Sequence, residues 1–238
     1  MAKYKRTRKD KIEAGEAPTP KYTKTIEIRP RTTAQQDYIQ AINTFDTTIG
    51  IGSAGTGKSY IPLAMAARDY AERKIEKIIL LRPLVAVDNK GLGFFKGTFE
   101  EKIAPWAAAP LENLSKILGK ERVERMVKHE EIMLRPLGYE RGVTYDNAFV
   151  ILDEAQNATP AELEMFLTRI GDNARVVLTG DPRQSDLGRN SGLTGLVGLC
   201  EKLDLPVGVV NFDTDDIVRS NTCKMWVTAF ETFPSKVP

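Results

Sequence analysis

"GIGSAGTGKSY" occupies residues 50–60, and its reading decides the fold. Within it, Gly52-Ser53-Ala54-Gly55-Thr56-Gly57-Lys58-Ser59 fits the pattern GxxxxGK[ST]. The stretch lies between a short β-rich run, "TTIGIG", and a helical pattern, "KSYIPLAMAARDYAERK", which is the context this pattern needs to be meaningful. Its glycines let backbone N–H groups turn inward around an anion. The helix that follows aims its positive end at the same point. Lys58 is placed to reach the β- and γ-phosphates of a nucleotide, and Ser59 offers a hydroxyl to Mg²⁺. Residues 52–59, with Tyr60 just beyond, are therefore the expected nucleotide contacts. A guanine-reading NKxD motif is missing from "DNKGL", where Leu92 stands in place of the acid, so ATP is the expected nucleotide.

Two further runs repeat one design, an apolar strand followed abruptly by polar groups. "FVILDEAQN" delivers Asp153 and Glu154 at a strand end. Asp153 is expected to hold Mg²⁺ jointly with Ser59, and Glu154 to polarise the attacking water. The competing reading is a strand that runs into a helix cap made by Asp153. "VVLTGDPRQSD" brings Thr179, Asp181 and Gln184 to the end of another strand, where one of them can sense the γ-phosphate. Gln184 is the preferred candidate. A plain turn at Gly180-Asp181-Pro182 is the alternative.

Around these motifs strands and helices alternate. Strands are expected at "TTIGIG", "KIILL" (77–81), "EIMLRPL" (131–137), "AFVILDE", "RVVLTGD" and "VGVVNF" (207–212). Helices are expected at "TTAQQDYIQAIN", after the phosphate loop, and over about 98–118, with Pro105 and Pro110 breaking the last into pieces. "TPAELEMFLTRIG" should be a helix capped by Thr159 and Glu162, with Pro160 in its first position and Gly171 as its stop. This order predicts an α/β domain with a mostly parallel sheet covered by helices on both faces. Its binding crevice lies at the carboxyl ends of the strands.

Composition sets outer bounds. The 238 residues carry 42% apolar and 28% charged side chains and a net charge of +2, the mix of a globular domain. Lys3, Lys5, Arg6, Arg8, Lys9 and Lys11 crowd the start, so residues 1–30 are expected to form a flexible basic arm and 31–238 the folded domain. No long apolar run or signal-peptide pattern is present, which points to a cytoplasmic protein without a membrane partner. Cys200 and Cys223 are the only cysteines and His129 the only histidine, a poor basis for zinc. His129 is expected on a helix surface, which leaves a carboxylate as general base.

The segments "GSAGTGKS", "LLRPLVAV", "LGFFKG", "YERGVTYDNAFVILDEAQN", "MFLTRIG", "LTGDPRQSDLGRNSGL" and "DIVRS" together resemble the PhoH-like proteins over about residues 31–230. These are P-loop ATPases linked to phosphate starvation and similar to the core of superfamily 1 helicases. The length resembles the family's short single-domain forms. The resemblance implies a RecA-like core that hydrolyses ATP with Mg²⁺. It also implies assembly into a homo-hexameric ring and action on RNA or single-stranded DNA. By position it implies that Gln35, or its neighbour Gln36, reads adenine, that Arg82 faces nucleic acid, and that Arg219 acts as an arginine finger. Tyr38 is placed either to pack on the base or to join the core. With one core per chain, the finger is expected from within the domain or from a neighbouring subunit, with Arg169 as a second candidate. The plain alternative is an ion pair from Arg219 to Asp215 or Asp216. In "NKGLGFFKG", Lys90, Phe94, Phe95 and Lys96 combine charge with aromatic faces suited to single strands, or else form core or subunit contacts. The sequence departs from the family pattern at two positions: Ser220 replaces a histidine, and Pro62 replaces a small residue.

Overall fold

The computed structural model describes residues 26–83 and 99–233, the backbone alone over 99–105. Six strands form one sheet: β1 (Thr47–Gly52), β2 (Lys77–Arg82), β3 (Ile132–Pro136), β4 (Ala148–Leu152), β5 (Arg175–Gly180) and β6 (Val207–Phe212). They stand in the order β3-β2-β4-β5-β1-β6, and every pairing is parallel. All six lie where the apolar runs place them. Such strands are buried on both faces, which is why they read as continuous apolar stretches rather than as alternation. All five residues of β4 are buried. Alternate side chains serve opposite layers. Ile78, Leu80, Phe149 and Ile151 pack beneath one set of helices, and Ile79, Leu81, Val150 and Leu152 beneath the other.

The first layer holds α1 (Thr33–Thr44), α2 (Tyr60–Ala71), α3 (Phe99–Leu118) and α4 (Lys120–Lys128). The second holds α5 (Pro160–Leu167) and α6 (Leu193–Lys202). This is the expected α/β architecture of a RecA-like domain. The acid-bearing β4 is separated from β1 by β5, so three strand ends converge on the phosphate loop.

Local chemistry sets several boundaries. Thr32 caps α1 by accepting from Gln35 N at 3.2 Å. α5 starts with the expected capping box of Thr159 and Glu162. It stops at Leu167, however, earlier than Gly171 suggests. Tyr145 N bonds Arg169 O and Gly171 N bonds Tyr145 O, and these ties draw the backbone out of the helix. Gly171 is needed for space instead, because a Cβ there would lie 2.0 Å from Asp146 Oδ1. His129 follows α4 as its exposed C-cap.

Two expectations are corrected. α3 runs unbroken through Pro105 and Pro110. A proline in a helix interior costs about 3 kcal/mol, but burial of one leucine returns about 1.5–3 kcal/mol, and Leu114 and Leu118 are both buried in the core. The folded part also begins before residue 31. Ile26 and Ile28 pack against the core, and Arg31 Nη1 donates to Val218 O at 3.0 Å. The apolar alternation in "IEI" is a weak signal beside the polar composition around it. Residues 1–25, with the basic cluster, lie outside the described residues.

A last helix, α7 (Asn221–Thr232), buries none of its residues. Ser220 caps it through Cys223 N at 3.2 Å, which gives the serine at the departing position a structural role. Both cysteines are free, and burial raises the Cys200 thiol pKa. Among the described residues no helix is long and apolar enough to cross a membrane.

Candidate active site

The phosphate loop leaves the carboxyl end of β1 and enters α2. Gly52, Gly55 and Gly57 all adopt positive φ. Gly57 also faces a neighbour, since a Cβ there would lie 2.9 Å from Gln35 Nε2. Inside the loop, Lys58 Nζ donates to Ser53 O at 2.8 Å and Thr56 Oγ1 donates to the same carbonyl at 3.0 Å. Burial lowers the pKa of Lys58, while the charges of Asp181, Glu154 and Asp153 oppose that shift and Arg219 adds to it. The ammonium is thus held among three acids and next to a second cation.

Asp153 and Glu154 follow β4 directly. Ser59 Oγ donates to Asp153 Oδ1 at 2.8 Å, and Thr179 Oγ1, from β5, donates to the same oxygen. Asp153 makes no helix cap; the short 3-10 turn after it begins at Glu154 without a side-chain cap. Three hard oxygens from three elements converge here. This donor set fits Mg²⁺, which takes one or two carboxylates and fills its shell with water and phosphate oxygens. Among the described residues no group of three or more His, Cys, Asp or Glu forms a closed metal cage.

Glu154 sits in the left-handed region at φ 57°, an uncommon conformation for a side chain beyond Gly and Asn. Its Oε2 accepts from Gln156 Nε2 at 2.6 Å, and Arg82 Nη2 lies 3.7 Å from its Oε1. Gln156 is buried, and its Oε1 accepts from Asp181 N at 3.1 Å. One amide thus links the turn after β4 to the end of β5. Sequence reading assigns Gln156 no role. Its position two residues from Glu154 in a tight turn is the available signal.

At the end of β5, Gln184 is exposed, lines neither cleft described below and donates to Asp181 Oδ2 at 2.9 Å. The groups of this strand end that reach the site are Thr179 and the buried Asp181. Pro182 begins a 3-10 turn that carries Gln184 outward. Beside it lies a network invisible in the sequence. Ser53 Oγ donates to Glu231 Oε1 at 2.6 Å and accepts from Arg183 Nη2 at 2.7 Å, and Arg183 pairs with Glu231 at 2.7 Å. These contacts fasten α7 to the phosphate loop across 178 residues of chain.

Two adjoining clefts share Ser59, Asn113 and Arg219. The first, about 480 Å³, runs from Glu27 and Arg29 past Gln35, Gly57 and Lys58 to Tyr60, Ile61 and Ala64, within the size range of small-ligand sites. Gln35 lines it and Gln36 is exposed, so Gln35 is the glutamine that faces the cleft. The Gln35 amide is already engaged, accepting from Arg31 N and donating to Thr56 O, both at 2.8 Å. Tyr38 is fully buried and belongs to the core, whereas Tyr60 is half-exposed at the cleft wall. The second cleft, about 290 Å³, places Asp153, Glu154, Arg82 and Arg219 against apolar walls that include Leu81 and Ile151. Trp106 also lines it, and its indole N–H has no hydrogen-bond partner among the described residues.

Arg219 lies over its own phosphate loop. A Cβ on Gly55 would lie 3.1 Å from its Cδ, and Val218 N donates to Gly55 O at 3.1 Å. It does not pair with Asp215 or Asp216. Asp215 pairs with Lys224 at 2.9 Å, and Asp216 accepts from Asp213 N at 3.1 Å. Arg219 itself lies on the wall shared by both clefts of its own chain. Arg169 lies beside Tyr145 and lines neither cleft. The "NKGLGFFKG" loop lies outside the described residues.

Residues 27–231 match the family model described as PhoH-like protein. A PhoH-like protein of Bacillus subtilis is 38% identical over 206 residues, covering 86% of this chain and 64% of the relative. Protein PhoH of Escherichia coli K12 is 38% identical over 210 residues, covering 87% and 59%. A PhoH-like protein of Mycobacterium tuberculosis H37Rv is 38% identical over 208 residues, covering 87% and 58%. This chain therefore spans about three-fifths of the length of these relatives. A solved structure, the Sulfolobus solfataricus SWI2/SNF2 ATPase core in complex with dsDNA, overlays with a TM-score of 0.45 at 14% identity, covering 79% of this chain and 45% of that one. With the family model spanning most of its length, and with the phosphate loop and the acid pair it carries brought into one site, the chain belongs to the PhoH-like protein family.

Proposed function

We propose that the protein binds ATP with Mg²⁺ and hydrolyses it, and that it works as a homo-hexameric ring on RNA or single-stranded DNA. The observation that carries the ATPase reading is the convergence of Lys58, Ser59, Asp153, Glu154 and Arg219 on two clefts that share a wall. The loop amides and Lys58 hold the phosphates. Ser59, Asp153 and Thr179 offer the oxygens that would hold Mg²⁺, which supplies charge neutralisation at the phosphates when bound. Glu154 orients a water from the second cleft and takes its proton as the water oxygen bonds to the γ-phosphorus and the bond from that phosphorus to the bridging oxygen breaks, releasing ADP and phosphate. Gln156 holds that carboxylate in place. Arg219 and Lys58 balance the charge that develops on the transferred group. Tyr60 supplies an aromatic face for the base, and Gln35 an amide beside it.

Arg82 supports the nucleic-acid reading, because it ends β2 half-exposed beside Glu154, where a polyanion could draw it away. Met225, Trp226, Phe230 and Phe233 on and just after α7 are all more than half exposed, and such an apolar face supports contact between copies. The same face favours the alternative, an oligomeric ATPase or slow nucleotide switch that acts on protein partners.

The test measures phosphate release with and without RNA or single-stranded DNA, for wild type and Arg219→Ala. Stimulation by RNA or single-stranded DNA that weakens steeply with salt is expected. Arg219→Ala should lose about 10³-fold in turnover and still bind ATP. No effect of either RNA or single-stranded DNA at any salt concentration would reject the nucleic-acid reading in favour of protein partners.

A further inference from the structure

α2 lacks one hydrogen bond of its first turn, and a tyrosine from another helix supplies it. Ile61 N donates to Gly57 O at 2.9 Å, as a helix requires. The next bond in that series would run from residue 62 to the carbonyl of Lys58. Residue 62 is proline and has no N–H to give. The Lys58 carbonyl accepts instead from the hydroxyl of Tyr38, at 3.3 Å. Tyr38 comes from α1 and is fully buried, its ring edge-on to Phe212 with centroids 5.2 Å apart. It crosses β1 so closely that a Cβ on Gly50 would lie 2.7 Å from the ring and 2.8 Å from the hydroxyl. Burial, with the charge of Asp153 adding to it, raises the pKa of this hydroxyl, so it stays a donor.

The carbonyl of Lys58 and the N–H of Ser59 belong to one rigid peptide plane and point in opposite directions. Whatever fixes the carbonyl therefore also fixes the direction of the Ser59 N–H and the path by which Lys58 and Ser59 leave the loop. Anion binding at a helix N-terminus depends on these directions.

We propose that Tyr38 is a positioning residue for the phosphate loop: its hydroxyl stands in for the donor that Pro62 lacks, and by holding the Lys58 carbonyl it aims the Ser59 amide at the nucleotide phosphates. Gly50 keeps the passage open for it. This role rests on the nucleotide site proposed above, and it explains how proline is accommodated at a position where the family resemblance leads one to expect a small residue.

The test is a double-mutant cycle of Tyr38→Phe and Pro62→Ala, read by ATP affinity and by the thermal midpoint without nucleotide. Tyr38→Phe keeps the ring and removes only the donor, so ATP affinity should fall about tenfold. Pro62→Ala should bind ATP about as well as wild type, because alanine at that position brings its own N–H to the Lys58 carbonyl. In that background Tyr38→Phe should cost less than about twofold. The thermal midpoint should show the same pattern, with the tyrosine substitution costing more beside proline than beside alanine. An equal loss in both backgrounds, by either readout, would overturn the proposal and leave Tyr38 as core packing. If wild type bound no ATP, the nucleotide reading would fail and the positioning role with it, while the midpoint cycle would still show whether Tyr38 and Pro62 are linked.

Discussion

Gln156→Met isolates a residue that joins the two halves of the site. Methionine keeps the length of the side chain but removes both polar atoms. The Asp181 N–H then loses its acceptor at 3.1 Å, and Glu154 loses its donor at 2.6 Å. Leaving one buried backbone donor unpaired costs about 1–3 kcal/mol. For a domain of this size each kcal/mol moves the thermal midpoint by about 2–4 °C. The midpoint should therefore fall by about 2–12 °C. General-base catalysis is worth about 10²–10⁴-fold, and a base that wanders loses part of that, so kcat should drop about tenfold or more. Gln156 lines neither cleft, so KM for ATP should hold. Scanning calorimetry and steady-state phosphate release test both halves. A variant with wild-type midpoint and kcat would refute the claim that this amide holds Glu154. A raised KM with unchanged kcat would place Gln156 in binding instead.

Further outcomes follow from the same contacts. The pKa of Lys58 is lowered chiefly by burial, so between its folded and ordinary values the unfolded chain binds the proton more tightly. The resulting cost to stability is complete below the folded pKa and fades as pH rises through that value towards the ordinary lysine range. Lys58→Met should raise the midpoint of the nucleotide-free protein at neutral pH, and this gain should shrink in alkaline buffer. For wild type, ATP affinity should begin to fall at a pH below that of an ordinary lysine, as titration calorimetry across the alkaline range would show. Glu231→Gln removes the charge that Arg183 holds at 2.7 Å. This partly exposed pair is worth about 1 kcal/mol, so the midpoint should drop by about 2–4 °C and Trp226 emission should report a looser α7.

Much of the fold was legible because parallel strands buried on both faces leave unmistakable apolar runs. β4 and β6 lie where "AFVIL" and "VGVVNF" place them. The capping chemistry of Thr159 and Glu162 was equally plain, since it depends on residues three apart. What the sequence concealed came from long-range contacts. The tie of residues 169–171 to Tyr145 cut α5 short, and burial of Leu114 and Leu118 carried α3 past two prolines. In the site, the phosphate loop and the acid pair were readable because their spacing is local. The bond from Thr179 to Asp153 spans 26 residues, and that from Glu231 to Ser53 spans 178. No local pattern carries such pairings. The direction of Gln184 depends likewise on a 3-10 turn after Asp181, which no local pattern reveals.

The most direct measurement of the central claim compares ATP binding and phosphate release, in the presence of Mg²⁺, for wild type and Glu154→Gln. The substitution keeps the length and hydrogen-bonding capacity of the side chain and removes its ability to take a proton. The account predicts equal affinity for ATP in both proteins, with phosphate release from wild type and at least about 10²-fold less from the variant. Undiminished release by Glu154→Gln, or no ATP binding by folded wild type, would contradict it.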